Sequence, residues 1–374
     1  MRTATTTLIL CVGGLLALGM IMLYSSSMVD GARYLHLQGI WAVAGVSVCV
    51  VAAFFDYRWL KKFTWLIFAL AVIALLLVLI PGVGELRNGS RRWFDLTVAH
   101  FQPSEAAKLA LIIVLAYYGE KFQKDIRTFY RGLVIPGVLI GAILVPVFLE
   151  PDRGTTILLA AVSGLVLLLA GVRWIYFVPP AVGGAVFMAY ALISDPVRMR
   201  RISSWLNPEE TKEGTGYQAW QAMIALGSGG VSGLGLGNGR QKLGFIPEHH
   251  TDFIFSIIGE EMGLLATLGV IAGFVIFVIC GVYIAWHARD VFGLLLGSGI
   301  TFLIGLQAFI NIGVVTSALP NKGLPLPFIS YGGSSLLLML LAVGILISIA
   351  RFGGPPIHEE EEVEETDLRG AQFA

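Results

Sequence analysis

Residues 247–286 read PEHHTDFIFSIIGEEMGLLATLGVIAGFVIFVICGVYIAW. A cluster of ionisable residues here runs directly into a long apolar stretch, residues 253–286. A bilayer core about 30 Å thick is crossed by roughly 20 apolar residues in a helix, so the stretch is predicted to span a membrane. Charge at the mouth of such a helix costs free energy, which makes Asp252 and its neighbours candidate functional residues.

The rest of the 374-residue chain is equally apolar, with 56% hydrophobic and 13% charged residues. Its mean hydropathy of +0.80 lies far above that of soluble globular proteins. Backbone polar groups inside a bilayer must be satisfied internally, which indicates helices. The predicted fold class is an all-α, polytopic membrane protein with about ten transmembrane helices. The runs of apolar residues place them at about 6–27, 36–55, 64–80, 106–119, 133–149, 154–171, 174–194, 253–286, 291–316 and 331–350.

An even number of spans places both termini on the same side of the membrane. The short loops 56–63 and 119–132 are basic, and by the positive-inside rule they are cytoplasmic. We therefore expect residues 1–352 to form one transmembrane domain with cytoplasmic ends and a large outer loop at about 195–251. Residues 353–374 are rich in glutamate and are predicted to be a disordered cytoplasmic tail.

Basic residues also cluster on the predicted outer side, where Arg91 and Arg92 lie in one loop and Lys242 in another. Such clusters suit a phosphate or pyrophosphate head group, although they also occur where side chains flank helix ends. The outer loop contains a glycine-rich stretch, residues 227–239. That stretch is either a linker over the site or a set of backbone amides that cradle a phosphate.

Asp252 follows Thr251, a predicted N-cap, so we expect its carboxylate in the first turn of the long helix. The helix dipole keeps a carboxylate ionised there, and an ionised carboxylate can accept a proton from a hydroxyl group. A purely capping role is the alternative. Glu248 and His250 lie close enough in sequence to share the site.

Further polar residues occur at other helix ends. Glu105 and Lys108 are three residues apart at the start of the fourth span, where they form either a structural ion pair or a substrate contact. Asp152 lies in a turn after the fifth span and is either a cap or part of the site. Residues 321–335, with Lys322 and Ser330, are too rich in Pro and Gly for a helix and are predicted to line a cavity.

The chain lacks nucleotide-binding and zinc-protease motifs, so energy from ATP is not indicated. Taken together, its motifs resemble the SEDS family (shape, elongation, division and sporulation), the membrane-embedded peptidoglycan polymerases. They follow the family order over about residues 24–351. The matching segments are 88–93, 102–105, 150–152, 227–230, 247–255, 259–261, 311–315 and 322–335.

The resemblance implies polymerisation of lipid II, a disaccharide-pentapeptide on undecaprenyl pyrophosphate, at the outer face of the bacterial cell membrane. The resemblance assigns the role of catalytic base to Asp252. It implies no metal-ligating residues, although a divalent cation is compatible with the implied reaction. Its expected partners are lipid II, a class B penicillin-binding protein and other divisome membrane proteins, with no nucleic acid. Expected substrate-binding residues are Arg91, Arg92, Glu105, Lys108, Asp152, Lys242, Glu248, His250, Lys322 and Ser330.

One residue departs from the family pattern: Arg153 stands where an apolar residue usually follows Glu-Pro-Asp. Residues 237–243 and 320–324 are more similar to the division members of the family than to the elongation members. Septal cell-wall synthesis is therefore the expected role, with an elongation-type polymerase as an alternative. A lipid II flippase and a non-catalytic scaffold are further alternatives, but charge at the outer mouth favours surface chemistry over transport.

Overall fold

The computed structural model describes residues 1–26, 33–87, 90–95, 100–193, 199, 204–206, 209, 211–212, 214, 216–246 and 250–353. The acidic tail lies outside these residues, apart from its first position. Within them, each of the ten predicted spans coincides with a helix. The helices are α1 (Arg2–Ser26), α2 (Arg33–Phe54), α3 (Trp59–Val78), α4 (Pro103–Lys121), α5 (Ile135–Leu149), α6 (Arg153–Leu169), α7 (Val178–Ile193), α8 (Tyr217–Gly229), α9 (Ile254–Trp286), α10 (Val291–Val315) and α11 (Gly333–Phe352).

The fold is that of a polytopic, helical membrane protein, as predicted. In the described part of the chain, seven helical segments are long and apolar enough to cross a membrane. Six of them are α1, α2, α3, α9, α10 and α11. The seventh consists of the π-helical turn Tyr130–Val134 and the helix α5 that follows it. The remaining predicted spans are the shorter apolar helices α6 and α7 and the charged helix α4.

Two extramembrane elements were not predicted. The connection between α3 and α4 folds into a small antiparallel sheet of β1 (Glu85–Arg87), β2 (Ser90–Asp95) and β3 (His100–Phe101), with β2 in the middle. Helix α8 lies within the predicted large loop and packs against α9. Short strands and an isolated helix leave little periodic signal in a sequence dominated by apolar spans.

Helix α4 forms the centre of the bundle. Its residues from Pro103 to Tyr118 are almost all buried, and it packs against α3, α6 and α10. A helix surrounded on all sides by others needs apolar residues around its whole circumference, which explains the absence of a polar face. Further packing pairs α1 with α9, α2 with α11 and α9 with α10.

Helix α9 is broken at Gly263, whose φ of 76° and ψ of −170° are not helical. The carbonyl groups of Glu260 and Glu261, freed by the break, accept hydrogen bonds from the amides of Leu234 and Gly235 at 3.0 and 2.9 Å. Backbone groups inside a membrane protein need such replacement partners. The predicted long helix over residues 253–286 is therefore present but interrupted at Gly263, where the glycine-rich loop packs against it.

Candidate functional site

Asp252 lies immediately outside the first turn of α9. The N-cap of the helix is Phe253, without a side-chain cap, and the helix begins at Ile254. The prediction of Thr251 as the N-cap is therefore wrong, because the observed N-cap, Phe253, lies two residues later. The Thr251 carbonyl accepts a hydrogen bond from the Ser330 hydroxyl at 2.6 Å instead. Asp252 is thus presented by a turn that another segment of the chain holds in place.

That second segment is residues 321–331, whose backbone is irregular, as predicted for the stretch 321–335. The prediction is wrong for the last three residues of that stretch, because α11 already begins at Gly333. The Asn311 side-chain amide on α10 donates hydrogen bonds to the carbonyls of Asp252 at 2.8 Å and Leu324 at 2.7 Å. The Tyr331 amide donates to the carbonyl of His250 at 3.0 Å. These bonds fix the backbone on either side of Asp252 against residues 321–331.

A cavity of about 350 Å³ opens beside Asp252. Its wall includes Lys322 and Gly323 from the irregular segment. Gly323 approaches Asp252 so closely that an added Cβ atom there would lie 2.6 Å from Oδ2 of the carboxylate. The other lining residues are Ser204, Trp205, Gly216, Gln218, Ala219, Phe253, Val314, Ser317, Leu319 and Asn321.

Lys322 brings a cation to the same cavity as Asp252. Burial lowers the pKa of Lys322 below its ordinary value, and the charge of nearby Arg153 lowers it further. An ammonium group that is partly withdrawn from water is stabilised when an anion binds beside it. The structure thus brings together the predicted base, Asp252, and one predicted substrate-binding residue, Lys322.

Glu105 and Lys108 form the predicted ion pair, with 2.7 Å between Lys108 Nζ and Glu105 Oε1. Both side chains are buried, and Lys108 also donates to Gln307 Oε1 on α10 at 3.0 Å. The Gln307 amide in turn donates to the carbonyl of Pro325 at 2.9 Å. The pair therefore supports the segment that carries Lys322 and does not line the cavity.

The glycine-rich loop after α8 folds around two buried carboxylates. The amides of Gly237 and Gly239 donate to Glu261, and those of Arg240 and Gln241 donate to Glu260. Backbone amides thus cradle an anion, as one sequence-based alternative proposed, but the anions are the protein's own carboxylates. The loop serves as structural support for α9.

Lys242 belongs to this cradle. Its ammonium group is 2.6 Å from Glu261 Oε1 and 2.9 Å from the Ser25 hydroxyl, and the side chain is buried. Lys242 therefore neutralises a buried carboxylate and does not line the described cavity.

A further polar group lies where α5 meets α6. Asp152 is the N-cap of α6, and its two carboxylate oxygens accept from the amide and hydroxyl of Thr155 at 3.0 and 2.9 Å. Arg92 Nε, on β2 beside Arg91, donates to the Glu150 carbonyl at 2.7 Å. Asp152 was interpreted either as a helix cap or as part of the site. The observed contacts support its role as the N-cap of α6.

Glu150 itself is fully buried, and in the described part of the chain neither carboxyl oxygen has a hydrogen-bond partner. Burial raises the pKa of Glu150 to about 8, with a further upward effect from the charge of Asp152 and an opposing effect from Arg92. This carboxyl group is therefore largely protonated at neutral pH.

His250, another predicted site residue, lies two positions before Asp252 in the chain. The His250 ring stacks on Tyr34 with 4.8 Å between ring centroids and meets the edge of Tyr331 at 5.9 Å. Glu248 falls outside the described residues. Among those that are described, no group of three or more His, Cys, Asp or Glu side chains has the arrangement of a metal site.

Sequence reasoning missed the residues that hold the site together. Asn311 and Gln307 are buried amides on an apolar helix, and Gly323 contacts the Asp252 carboxylate. A polar residue within a membrane helix was the available signal, since such residues are costly to bury without a role. Which partner each amide meets is not encoded in local sequence.

Comparison with known proteins shows that the family model described as "Cell cycle protein", covering FtsW, RodA and SpoVE, matches residues 5–353. The chain is 42% identical over 346 residues to the "Probable peptidoglycan glycosyltransferase FtsW" of Geobacter metallireducens, covering 90% of this chain and 92% of the relative. It is 39% identical over 346 residues to the "Stage V sporulation protein E" of Bacillus subtilis, covering 90% and 94%.

A solved structure has the same fold. Its title is "Structural coordination of polymerization and crosslinking by a peptidoglycan synthase complex". The matched chain superposes with a TM-score of 0.79 at 25% identity, covering 92% of this chain and 96% of that one.

Proposed function

The chain belongs to the FtsW, RodA and SpoVE family of cell cycle proteins, and from that premise we propose that it polymerises lipid II into glycan strands. It is a multi-pass membrane protein and a glycosyltransferase of peptidoglycan synthesis. The observation that carries the proposal is the cavity of about 350 Å³ in which Asp252 and Lys322 share one wall. A carboxylate and a cation side by side suit a transfer reaction with an anionic leaving group.

In the proposed reaction, Asp252 takes the proton from the 4-hydroxyl of the acceptor GlcNAc. The hydroxyl oxygen attacks the anomeric carbon of the donor MurNAc and forms the new C–O bond with inversion. The bond from that carbon to the diphosphate oxygen breaks, and undecaprenyl diphosphate leaves with the electron pair. The energy resides in the donor's own diphosphate bond, which agrees with a sequence that lacks nucleotide motifs.

Positioning of Asp252 supports this role. Asn311 and Ser330 fix the backbone of the turn that carries it, and Gly323 leaves room for its carboxylate. A catalytic group held in one orientation lowers the barrier because the entropy of alignment is lost on folding and not during the reaction. Asp252 also lies at the end of a helix, whereas transport sites lie near the middle of the bilayer, which favours polymerisation over a flippase.

We further propose a role in septal wall synthesis, with a class B penicillin-binding protein as partner. Support comes from the identity to the FtsW relative and from the likeness to a chain whose structure concerns coordinated polymerisation and crosslinking. Localisation of a fluorescent fusion would distinguish the septum from the lateral wall. Signal confined to the lateral wall would favour an elongation role instead.

The catalytic proposal is tested with purified protein, its candidate transpeptidase and labelled lipid II, by separating glycan products on a gel. Asp252→Asn keeps the shape of the side chain but removes the base. We expect polymerisation to fall by about 10²–10⁴-fold, the usual contribution of general base catalysis. Asp56→Asn is the matched control, because Asp56 pairs with Arg58 in a loop predicted to be cytoplasmic.

Parent-like polymerisation by Asp252→Asn would exclude Asp252 as the base. If the parent protein moves lipid II across liposomes and forms no polymer, the flippase alternative is correct.

A further inference from the structure

The glycine-rich loop after α8 has the reverse polarity of a loop in water. Its residues 231–245 are all described, and within them every large apolar side chain is exposed, namely Val231, Leu234, Leu236, Leu243 and Phe245. Lys242, in contrast, is only 2% exposed and pairs with the buried Glu261. A loop surrounded by water exposes its charges, whereas apolar surroundings favour charges that are paired inside. The exposed apolar residues are called the apolar loop surface below.

Helix α9 shows where the hydrocarbon of the bilayer begins. Residues 254–261 are buried, and exposed apolar side chains follow one face of the helix only from Leu264 to Trp286. At about 1.5 Å per residue, this exposed stretch is about 33 Å long, which matches the roughly 30 Å of hydrocarbon in a bilayer. The outer boundary of the hydrocarbon therefore lies near the break at Gly263.

The apolar loop surface is attached to α9 at this boundary. The Leu264 amide donates a hydrogen bond to the carbonyl of Gly230 at 3.0 Å, and the Leu265 amide donates to the carbonyl of Val231 at 3.4 Å. Val231 thus lies beside the first lipid-facing residues of α9. The apolar loop surface continues the lipid-facing face of the helix towards the outer side.

One cation accompanies the apolar loop surface. Arg240 lies between Leu236 and Leu243 in the chain, and its side chain is exposed. Arginine at a membrane boundary keeps its stem among apolar groups and extends its guanidinium group to the phosphate level. Exposed leucine and phenylalanine next to a cation are typical of segments that lie in the membrane interface.

We propose that residues 231–245 insert into the outer leaflet, where the apolar loop surface contacts the upper acyl chains of phospholipids and Arg240 contacts their phosphate groups. The inference goes beyond the proposed reaction and does not depend on it. Continuity with the lipid-facing face of α9 favours lipid over a protein as the occupant. Since amides of the same loop bind Glu260 and Glu261, the leaflet anchors the part of α9 that follows Asp252.

Fluorescence quenching in a bilayer tests this insertion. Leu236→Cys and Phe245→Cys are labelled with the fluorophore NBD, and the full chain is placed in nanodiscs of phosphatidylcholine and phosphatidylglycerol. Both side chains are exposed, so their replacement removes little packing. Quenchers are attached either near the top or near the end of the acyl chain, and iodide is added to the water. The parent chain, treated in the same way, gives the background from Cys11, Cys49 and Cys280.

Interfacial segments enter a leaflet by about 5–10 Å, so both labels should lose more emission to the shallow quencher than to the deep one. Iodide should have little effect on them. Val275→Cys, exposed near the middle of the lipid-facing stretch, should respond more to the deep quencher. Lys124→Cys, exposed in the basic connection between α4 and α5, should respond most to iodide.

Strong quenching of both loop labels by iodide, with none by either lipid quencher, would place the loop in water and overturn the inference. Labels protected from all three quenchers would show that protein covers the surface, which also overturns it. Protection that appears only after a class B penicillin-binding protein is added would assign the surface to that partner and not to lipid.

A charged pair of substitutions tests whether the apolar side chains hold the loop in the leaflet. Leu236→Asp together with Leu243→Asp, added to the labelled Phe245→Cys chain, should shift the label from the shallow lipid quencher towards iodide, because carboxylates are costly to bury in lipid. Leu236→Met with Leu243→Met is the matched control and should keep the original pattern. An unchanged pattern in the aspartate pair would overturn the anchoring role of these side chains.

Discussion

At the scale of single residues, Gly323 is a steric determinant of the site. A Cβ atom at this position would lie 2.6 Å from Asp252 Oδ2, so the carboxylate would have to move. For Gly323→Ala we expect lipid II polymerisation to fall about 100-fold, since a displacement of about 1 Å has that effect in other enzymes. Gly137→Ala on α5, where a Cβ atom meets nothing within 4 Å, is the control. Parent-like kcat in Gly323→Ala would contradict the close contact.

Glu150 predicts a pH dependence of stability. Its pKa is about 8 in the folded chain and near the ordinary 4.5 when unfolded. Both states are protonated below about pH 4.5, and above it the unfolded state releases the proton first. Between about pH 4.5 and 8 the carboxyl group therefore destabilises the fold increasingly, by at most about 1.4 kcal/mol per pH unit.

Glu150→Gln keeps the shape and removes this titration. The variant should gain stability over the parent as pH rises from 5 to 8, seen as a growing difference in Tm of the detergent-solubilised protein. A Tm difference that stays constant over this range would show that Glu150 titrates normally. Lys62→Met, on an exposed side chain, should show no such trend.

At the scale of elements, the break in α9 couples that helix to the glycine-rich loop. Gly263 has a positive φ of 76°, and an added Cβ atom would lie 2.4 Å from the amide nitrogen of Gly233. Gly263→Ala is expected to destabilise the fold by more than about 1 kcal/mol, because it combines backbone strain with a clash. Gly269→Ala is the matched control on the same helix, since its Cβ atom meets nothing within 4 Å.

The measurement is the yield and Tm of the purified variants. Gly269→Ala should match or slightly exceed the parent. Equal stability of Gly263→Ala would mean that α9 can straighten and that the loop is not required at the break.

At the scale of the whole molecule, an ionic cluster holds the end of the bundle opposite the site. Lys61 on α3 lies 2.7 Å from Glu120 on α4 and 2.7 Å from Asp290, which also caps α10 by accepting from the Gly293 amide. Helix α10 has 25 residues and so extends for about 37 Å between this cluster and the segment beside Asp252. The cluster and the cavity are therefore separated by the thickness of the membrane.

Removing Lys61 should affect stability and leave chemistry intact. Lys61→Met leaves two partly buried carboxylates facing each other, and we expect a loss of about 1–3 kcal/mol. Polymerisation at saturating lipid II should remain within about twofold of the parent, because the distant site keeps its contacts. Lys62→Met, which removes an exposed charge 4.1 Å from the Trp59 ring centroid, should lower stability by no more than about 1 kcal/mol and leave polymerisation unchanged. A loss of activity without a loss of stability in Lys61→Met would contradict this separation.

The transmembrane architecture could be predicted from sequence because a bilayer requires long apolar helices. Ten apolar runs correspond to α1–α7 and α9–α11, and the i, i+3 spacing of Glu105 and Lys108 anticipated their ion pair. Asp252 was identified because its charge lies at the end of such a run. These features depend on hydropathy and on neighbours along the chain, which a sequence displays directly.

The partners of the polar residues were decided only by tertiary structure. Amides of the glycine-rich loop bind Glu260 and Glu261, and Lys242 pairs with Glu261. Asn311 joins Asp252 to Leu324 across separate segments. Sequence alone identified which residues carry charge at the membrane surface. Packing determined which charges satisfy each other and which face the cavity, because hydrogen bonds between distant segments depend on how the helices pack.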